Sequence, residues 1–170
     1  ILTVDYIPVQ TVSSKITSGN DDVEERVTTG AVILISTDLD MADDSSLLRN
    51  QTVGLLFRNM DIPQGAMIND AYIQFVADEV QAGTCNLEIR GEDVDDPANF
   101  QAITKNVSLR TSTTASVNWE PAAWNVIGEA GPAQRTPNIS SIIKEIVDRG
   151  GWAVNNSMCI MITGMGERTA

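Results

Sequence analysis

The chain has 170 residues and a formal net charge of −12, with 11 Lys and Arg against 23 Asp and Glu. This charge argues against nucleic acids and anionic membranes as partners, because both bind through clusters of Lys and Arg. No apolar run reaches the ~20 residues of a membrane-spanning helix, so membrane insertion is not expected. The chain contains no His, which excludes Ser-His-Asp and Cys-His catalysis and histidine metal sites.

Residues 1–6 form the first predicted strand. Leu2, Val4 and Tyr6 alternate with polar residues in the period-two pattern of a half-buried strand, and Pro8 ends it. An apolar strand at the front of a chain can pair with a free sheet edge of its own molecule or of a neighbour. We therefore divide the chain into a donor-type strand, residues 1–8, and one β-sandwich domain, residues 9–170.

The rest of the chain is rich in short β-type runs separated by turns. Strands are predicted at residues 9–17, 31–36, 51–57, 67–76, 85–91, 107–109, 115–119 and 156–163. Acid-rich stretches at residues 21–25, 37–45 and 91–97 are predicted as loops. This spacing of strands and turns is typical of an antiparallel β-sandwich.

One short helix is predicted at residues 137–149. Thr136 suits the N-cap, Pro137 suits the first helical position, and Gly150 suits the C-terminal end. Apolar residues recur at the i, i+3, i+4 spacing of one buried stripe, namely Ile139, Ile142, Ile143, Ile146 and Val147.

Several segments together resemble a jelly-roll-type β-sandwich domain of large secreted bacterial multidomain proteins, similar to DNRLRE-type and carbohydrate-binding-module sandwiches. The resemblance covers residues 12–169 and rests on the segments at 51–57, 62–75, 113–119, 135–139 and 162–168. It implies an all-β, antiparallel, jelly-roll-like fold with one short helix, and a secreted, extracellular protein. It implies no enzymatic activity.

In that family, a last strand of the form Leu-X-Val-X-Tyr follows the turn that contains Gly and Arg. Residues 2–6 have this form at the front of the present chain. The strand either completes the sheet of a neighbouring copy, within a homopolymer or between tandem repeats, or folds back into its own sandwich. We expect the first arrangement, a head-to-tail filament, with Leu2, Val4 and Tyr6 as donor residues and Met158, Ile160 and Ile162 as the acceptor edge.

The alternative function is an accessory module of a larger secreted protein that binds carbohydrate or calcium. Calcium takes six to eight oxygen ligands, and the candidate ligands of a structural calcium ion are Asp21, Asp22, Glu24, Asp93, Asp95 and Asp96. Such runs of charge are usually solvated loops of an acidic surface, which is the favoured interpretation. Trp124 lies in the irregular segment 121–135 and is the candidate glycan contact. No carboxylate pair is marked out as that of a glycosidase, so we expect no enzyme and no required cofactor.

Two further features concern covalent chemistry. Cys85 and Cys159 lie in predicted strands, either as a disulfide or as two small buried apolar residues. Four Asn-X-Ser/Thr sequences are candidate glycosylation sites if the source glycosylates its proteins, at Asn50, Asn106, Asn138 and Asn155.

Overall fold

A computed structural model describes residues 2–3, 9–44 and 49–170, and all structural statements below concern these residues. They form an antiparallel all-β fold with one short α-helix, which confirms the predicted fold class. The strands are β1 Asp22–Arg26, β2 Val32–Ile33, β3 Asp40–Asp44, β4 Arg49–Phe57, β5 Asn86–Glu92, β6 Ser112–Trp119, β7 Met158–Met165 and β8 Glu167–Thr169; the helix is α1 Ser140–Val147. No helix in the described part is long and apolar enough to cross a membrane.

The main sheet has the strand order β2-β1-β4-β7-β5-β6. β3 lies between the start of β4 and β8, and pairs with both. β7 is a central strand, since it pairs with β4 on one side and β5 on the other. The prediction that Met158, Ile160 and Ile162 form an acceptor edge is therefore wrong. Their run is apolar on both faces because both faces of this strand are covered, which is typical of a central strand.

The sheet separates a large core from a small one, because successive side chains of a strand point to opposite faces. Ile160 and Ile162 face the large core with the helix, whereas Cys159 and Met161 face the small core with Phe100. Cys85 belongs to the large core, and both thiols are buried and free. The disulfide considered above does not form, since the two cysteines belong to different cores.

The helix begins later than its sequence signals suggest. The Thr136 hydroxyl accepts the N–H of Ile73 at 3.0 Å, and the Asn138 side chain accepts the N–H of Ser140 at 2.8 Å. Both polar side chains thus bind backbone N–H groups in the segment that leads into the helix, which starts at Ser140. The predicted apolar stripe is buried throughout.

Two acid-rich segments that were predicted as loops are strands β1 and β3. Acidic residues are depleted in strands, but here their carboxylates accept hydrogen bonds from backbone N–H groups of distant segments. The Glu25 carboxylate accepts the N–H groups of Val107 and Ser108 at 2.7 and 3.1 Å. Residues 107–109, predicted as a strand, form the turn that Glu25 holds, and residues 9–17 join no sheet.

Candidate functional site

Residues 71–77 are extended and alternate in burial, although only part of their backbone is paired. Ile73, Phe75 and Ala77 are buried, whereas Tyr72 and Val76 are about half exposed. The strand predicted here is replaced by an isolated bridge between Gln74 and Arg135. The segment therefore has the side-chain pattern of a strand with a neighbour along one side.

The paired backbone groups all belong to the odd-numbered residues. Phe75 N–H donates to the Gln134 carbonyl at 2.9 Å, Ala77 N–H donates to the Glu129 carbonyl at 2.9 Å, and the Ile73 carbonyl accepts from Thr136. Backbone groups alternate in direction along a strand, so those of Tyr72, Gln74 and Val76 point to the opposite side.

No partner for the N–H groups of Tyr72, Gln74 and Val76 exists within the part of the chain that the structure describes. We call this backbone edge, residues 72–76, the free edge.

Strand β8 is aligned with the free edge. Asp78 N–H, the next outward-pointing donor after Val76, donates to the Thr169 carbonyl at 2.9 Å. The Gln81 side chain accepts the N–H of Thr169 at 2.7 Å and donates to its hydroxyl at 2.8 Å. Because Ala170 also exchanges two backbone hydrogen bonds with Leu39, the end of β8 is held on both sides. A strand continuing the line of β8 would lie beside residues 72–76.

The inner side chains of the free edge pack in the large core. The Phe75 ring stacks on Trp119 with centroids 5.7 Å apart. Ile73 and Phe75 both belong to the large core. A strand with an apolar face that paired with this edge would therefore extend an existing core.

The outer face of the free edge carries different chemistry. The Arg135 guanidinium stands 4.5 Å from the centre of the Tyr72 ring, a cation–π contact. Arg135 is exposed, and no carboxylate pairs with it among the described residues. In a chain of net charge −12, such a cation is available to an acidic partner.

The proposed donor strand is only partly described. Leu2 is 89% exposed and Val9 is 79% exposed, so neither packs into the cores of its own chain. Val4 and Tyr6 lie outside the described residues, and their role as donors stays a prediction.

A buried polar network lies at the junction of β1, β3 and β8. Glu24 accepts the N–H of Asp40 at 2.7 Å, and the Asp40 carboxylate accepts the hydroxyl of Thr169 at 2.9 Å. Burial, assisted by the charges of Asp40 and Asp38, raises the pKa of Glu24 to about 7. Burial likewise raises the pKa of Asp40 to about 6. Both carboxyls therefore bind protons more tightly than in the unfolded chain, and they connect β1 and β3 to the end of β8.

We expect the protein to lose stability as the pH rises from 5 to 8. A carboxyl whose pKa is raised on folding binds its proton more tightly in the native state. Its contribution to the free energy of unfolding is therefore lost as the pH rises from its pKa in the unfolded chain to its pKa in the folded protein. For Glu24, which is 3% exposed, the loss is about 3 kcal/mol at most. Urea unfolding at both pH values measures it, and no His titrates in this range.

The matched control for that experiment is Glu24→Gln, which keeps an acceptor for Asp40 N–H but cannot ionise. This variant should have a flatter stability profile between pH 5 and pH 8. A wild-type profile that is already flat, or one that rises with pH, would contradict the assignment.

Five of the six candidate calcium ligands bind other groups of the chain, Asp22 being the exception. Arg58 binds Asp21 through two hydrogen bonds of 2.8 and 2.5 Å. Arg149 binds both Asp93 and Asp95. Of the remaining candidates, Asp96 accepts the N–H of Ser157 at 2.8 Å, burial raises the pKa of Asp22, and Glu24 belongs to the network above. In the described ranges, no group of three acidic or thiol side chains has an arrangement that could hold a metal ion.

Trp124 is not available to a glycan. It is fully buried, and its indole N–H donates to the Ala133 carbonyl at 2.9 Å. Trp119 and Trp152 are buried as well. The prediction of Trp124 as a ligand contact is wrong, because its irregular segment packs against residues 73–81, where Trp124 pairs with Gln81.

The four glycosylation candidates differ in accessibility. Asn50, Asn138 and Asn155 are exposed and Asn106 is half-buried. The side chains of Asn106 and Asn138 accept backbone N–H groups, whereas Asn155 lies in a turn with φ of 72°. Modification of the four sites stays a prediction.

The described residues form an antiparallel all-β fold in which the backbone edge at residues 72–76 is unpaired and in line with β8. Comparison with known protein families, characterised proteins and solved structures finds none that matches this chain. The functional argument therefore rests on the residues of the site.

Proposed function

We propose that this chain is a non-catalytic structural subunit of an extracellular filament that assembles head to tail by β-strand donation. Residues 1–6 of one copy add as a strand to the free edge, residues 72–76, of the next copy. The observation that carries the proposal is that the N–H groups of Tyr72, Gln74 and Val76 have no partner among the described residues and lie on the line of β8. The extracellular location rests on the resemblance to secreted sandwich domains.

Strand addition supplies both backbone and side-chain affinity. The inserted backbone forms ladder hydrogen bonds with the free edge, and alternate side chains enter the core. Burial of Leu2, Val4 and Tyr6 contributes about 1.5 to 3 kcal/mol each. With this strand in place, residues 72–76 and the segments beside them would form the second sheet of the jelly-roll-like sandwich that the resemblance implies.

The contact is heterologous, because the donor and the acceptor are different surfaces of the same chain. Such contacts propagate into open filaments when they do not close into a ring. The exposure of Leu2 in the single chain favours donation to a neighbour over completion of the chain's own sheet. The partner is another copy, either separate or joined as a tandem repeat.

The test is the double substitution Val4→Asp with Tyr6→Asp. Two carboxylates cannot enter the apolar core without a large desolvation cost, so the variant should remain monomeric under conditions in which the wild type forms filaments. Negative-stain microscopy and sedimentation measure the assembly. Thermal unfolding followed by circular dichroism checks that the body is folded.

The matched control places the same two charges further along the arm, at the exposed positions Thr11 and Ser13. Thr11→Asp with Ser13→Asp should assemble like the wild type. A wild-type protein that is strictly monomeric, or a filament that survives Val4→Asp with Tyr6→Asp, would disprove strand donation by these residues.

A further inference from the structure

We infer that the donor strand docks in one register, antiparallel to the free edge, with Leu2 opposite Phe75, Val4 opposite Ile73 and Asp5 beside Arg135 of the accepting copy. The inference rests on the proposed function and adds the specificity of the same site. It makes Arg135 the residue that selects the donor by charge.

The direction of the donor follows from the line formed by β7 and β8. β7 is antiparallel to β5, and the next contacts keep that direction. The Arg168 guanidinium donates to the Gly83 carbonyl at 2.9 Å, and the Thr169 carbonyl accepts from Asp78. From Met165 to Thr169 the residue number rises along this line, whereas the residues beside it fall in number from Asn86 to Asp78. A strand continuing the line beyond Ala170 therefore runs antiparallel to residues 72–76.

The core-facing side chains determine which acceptor residue lies opposite Leu2. Thr169 lies level with Asp78, so Ala170 lies level with Ala77, and both contact the large core. The first inner position beyond Ala170 is opposite Phe75. Because side chains alternate, Leu2 at that position places Val4 opposite Ile73 and Tyr6 opposite Ala71, with the largest donor side chain facing the smallest acceptor.

The outer row supports the same register independently. It places Ile1 opposite the half-exposed Val76, Thr3 opposite Gln74 and Asp5 opposite Tyr72. Each pair matches in character, apolar with apolar and polar with polar. The third pair brings Asp5 to the guanidinium that stands over the Tyr72 ring. Opposite charges on neighbouring strands stabilise a sheet, whereas like charges directly opposite destabilise it.

Both neighbouring registers are less favourable. A shift of two residues in one direction moves Asp5 opposite Asp70, which creates a like-charge pair. A shift of two in the other direction places Leu2 level with Ala77, where Ala170 already lies. A shift of one residue would turn Leu2, Val4 and Tyr6 away from the core.

Disulfide cross-linking between two singly substituted proteins tests the register. Thr3→Cys in one protein and Gln74→Cys in the other should form a linked pair after mild oxidation, because opposite Cα atoms lie ~4.5 to 5.5 Å apart, within disulfide range. Such a link can join only two copies. Thr3→Cys mixed with Tyr72→Cys, or with Val76→Cys, should not link. Each substituted protein oxidised alone controls for pairing of identical sites.

The outcomes separate this inference from the proposed function. A link at Tyr72 or Val76 in place of Gln74 would overturn the register and leave strand donation intact. No link at any of the three positions would overturn both.

Charge reversal tests the role of Arg135. Asp5→Arg should raise the concentration needed for assembly severalfold, and adding Arg135→Asp to the same chain should restore it. Asp61→Arg makes the same charge change at another exposed position and should leave assembly unchanged. If the double variant assembles no better than Asp5→Arg alone, Arg135 does not select the donor.

Discussion

Replacing Gly166 by Ala is expected to destabilise the fold by roughly 2 to 6 kcal/mol, through strained backbone and overpacking together. Gly166 has φ of 86°, and an added Cβ would lie 2.2 Å from the Thr84 carbonyl oxygen and 2.7 Å from the Cys85 Cα. These contacts are with backbone atoms, so a side-chain movement cannot relieve them. Gly166 also donates its N–H to the Asp43 carboxylate at 2.7 Å and accepts the N–H of Asp43 at its carbonyl at 3.1 Å.

Two other glycines are matched controls for this substitution. Gly65 also has positive φ, 69°, but nothing lies within 4 Å of its Cβ position, and Gly83 has open space without positive φ. Gly65→Ala should cost only the conformational strain, about 1 kcal/mol, and Gly83→Ala should be near neutral. Urea unfolding of the three variants measures the difference. Equal losses for Gly65→Ala and Gly166→Ala would contradict the close approach at Gly166.

The consequence for assembly is specific. Gly166 lies at the bend between β7 and β8, and β8 sets the line on which the donor strand docks. We therefore expect Gly166→Ala to prevent filament formation even at temperatures where the variant is still folded.

Trp124→Ala is expected to lower the free energy of unfolding by about 3 to 5 kcal/mol, the usual cost of emptying a large aromatic site in a core. Trp124 has no exposed surface. Its backbone exchanges two hydrogen bonds of 2.9 Å with Gln81, and its indole N–H bonds to Ala133. Removing the side chain leaves a cavity in the core and leaves the Ala133 carbonyl without its partner. Thermal and urea unfolding measure the loss.

Trp124→Phe is the informative companion variant. It retains an aromatic ring but loses the indole N–H, so it should cost clearly less than Trp124→Ala. If Trp124→Ala were as stable as the wild type but lost binding to a glycan array, the residue would be a ligand contact and its place in the core would be contradicted.

The helix and the central strands could be predicted because their signals are local. The Ile stripe of α1 has a period that matches one buried helix face, and the structure buries it. The apolar run at residues 156–163 likewise predicted a strand, and β7 lies there; its central place in the sheet came only from its pairing with β4 and β5. The predicted limits of the helix, 137–149, were too wide. The Thr136 hydroxyl bonds to Ile73 instead of capping the helix, the Asn138 side chain bonds to both Ala71 and Ser140, and the helix spans Ser140–Val147.

The acidic strands could not be predicted in the same way. Asp22–Arg26 has the composition of a solvated loop, yet Glu24 and Glu25 are buried. Their burial depends on N–H donors from Asp40 and Val107, which are distant in sequence. A carboxylate becomes tolerable inside a protein once hydrogen bonds or a bound proton compensate its desolvation, and these donors are brought together only by folding.

The sequence by itself determined the all-β class, the buried stripe of the helix, the absence of histidine chemistry and the apolar alternation of Leu2, Val4 and Tyr6. The tertiary structure alone decided which edge is free. An alternating pattern reports which side chains face a core, but it is blind to backbone pairing, because every residue carries the same N–H and C=O groups. The edge at Tyr72–Val76 is defined by two tertiary contacts: residues 128–139 pair with one side of this segment, and the end of β8 lies in line with its other side.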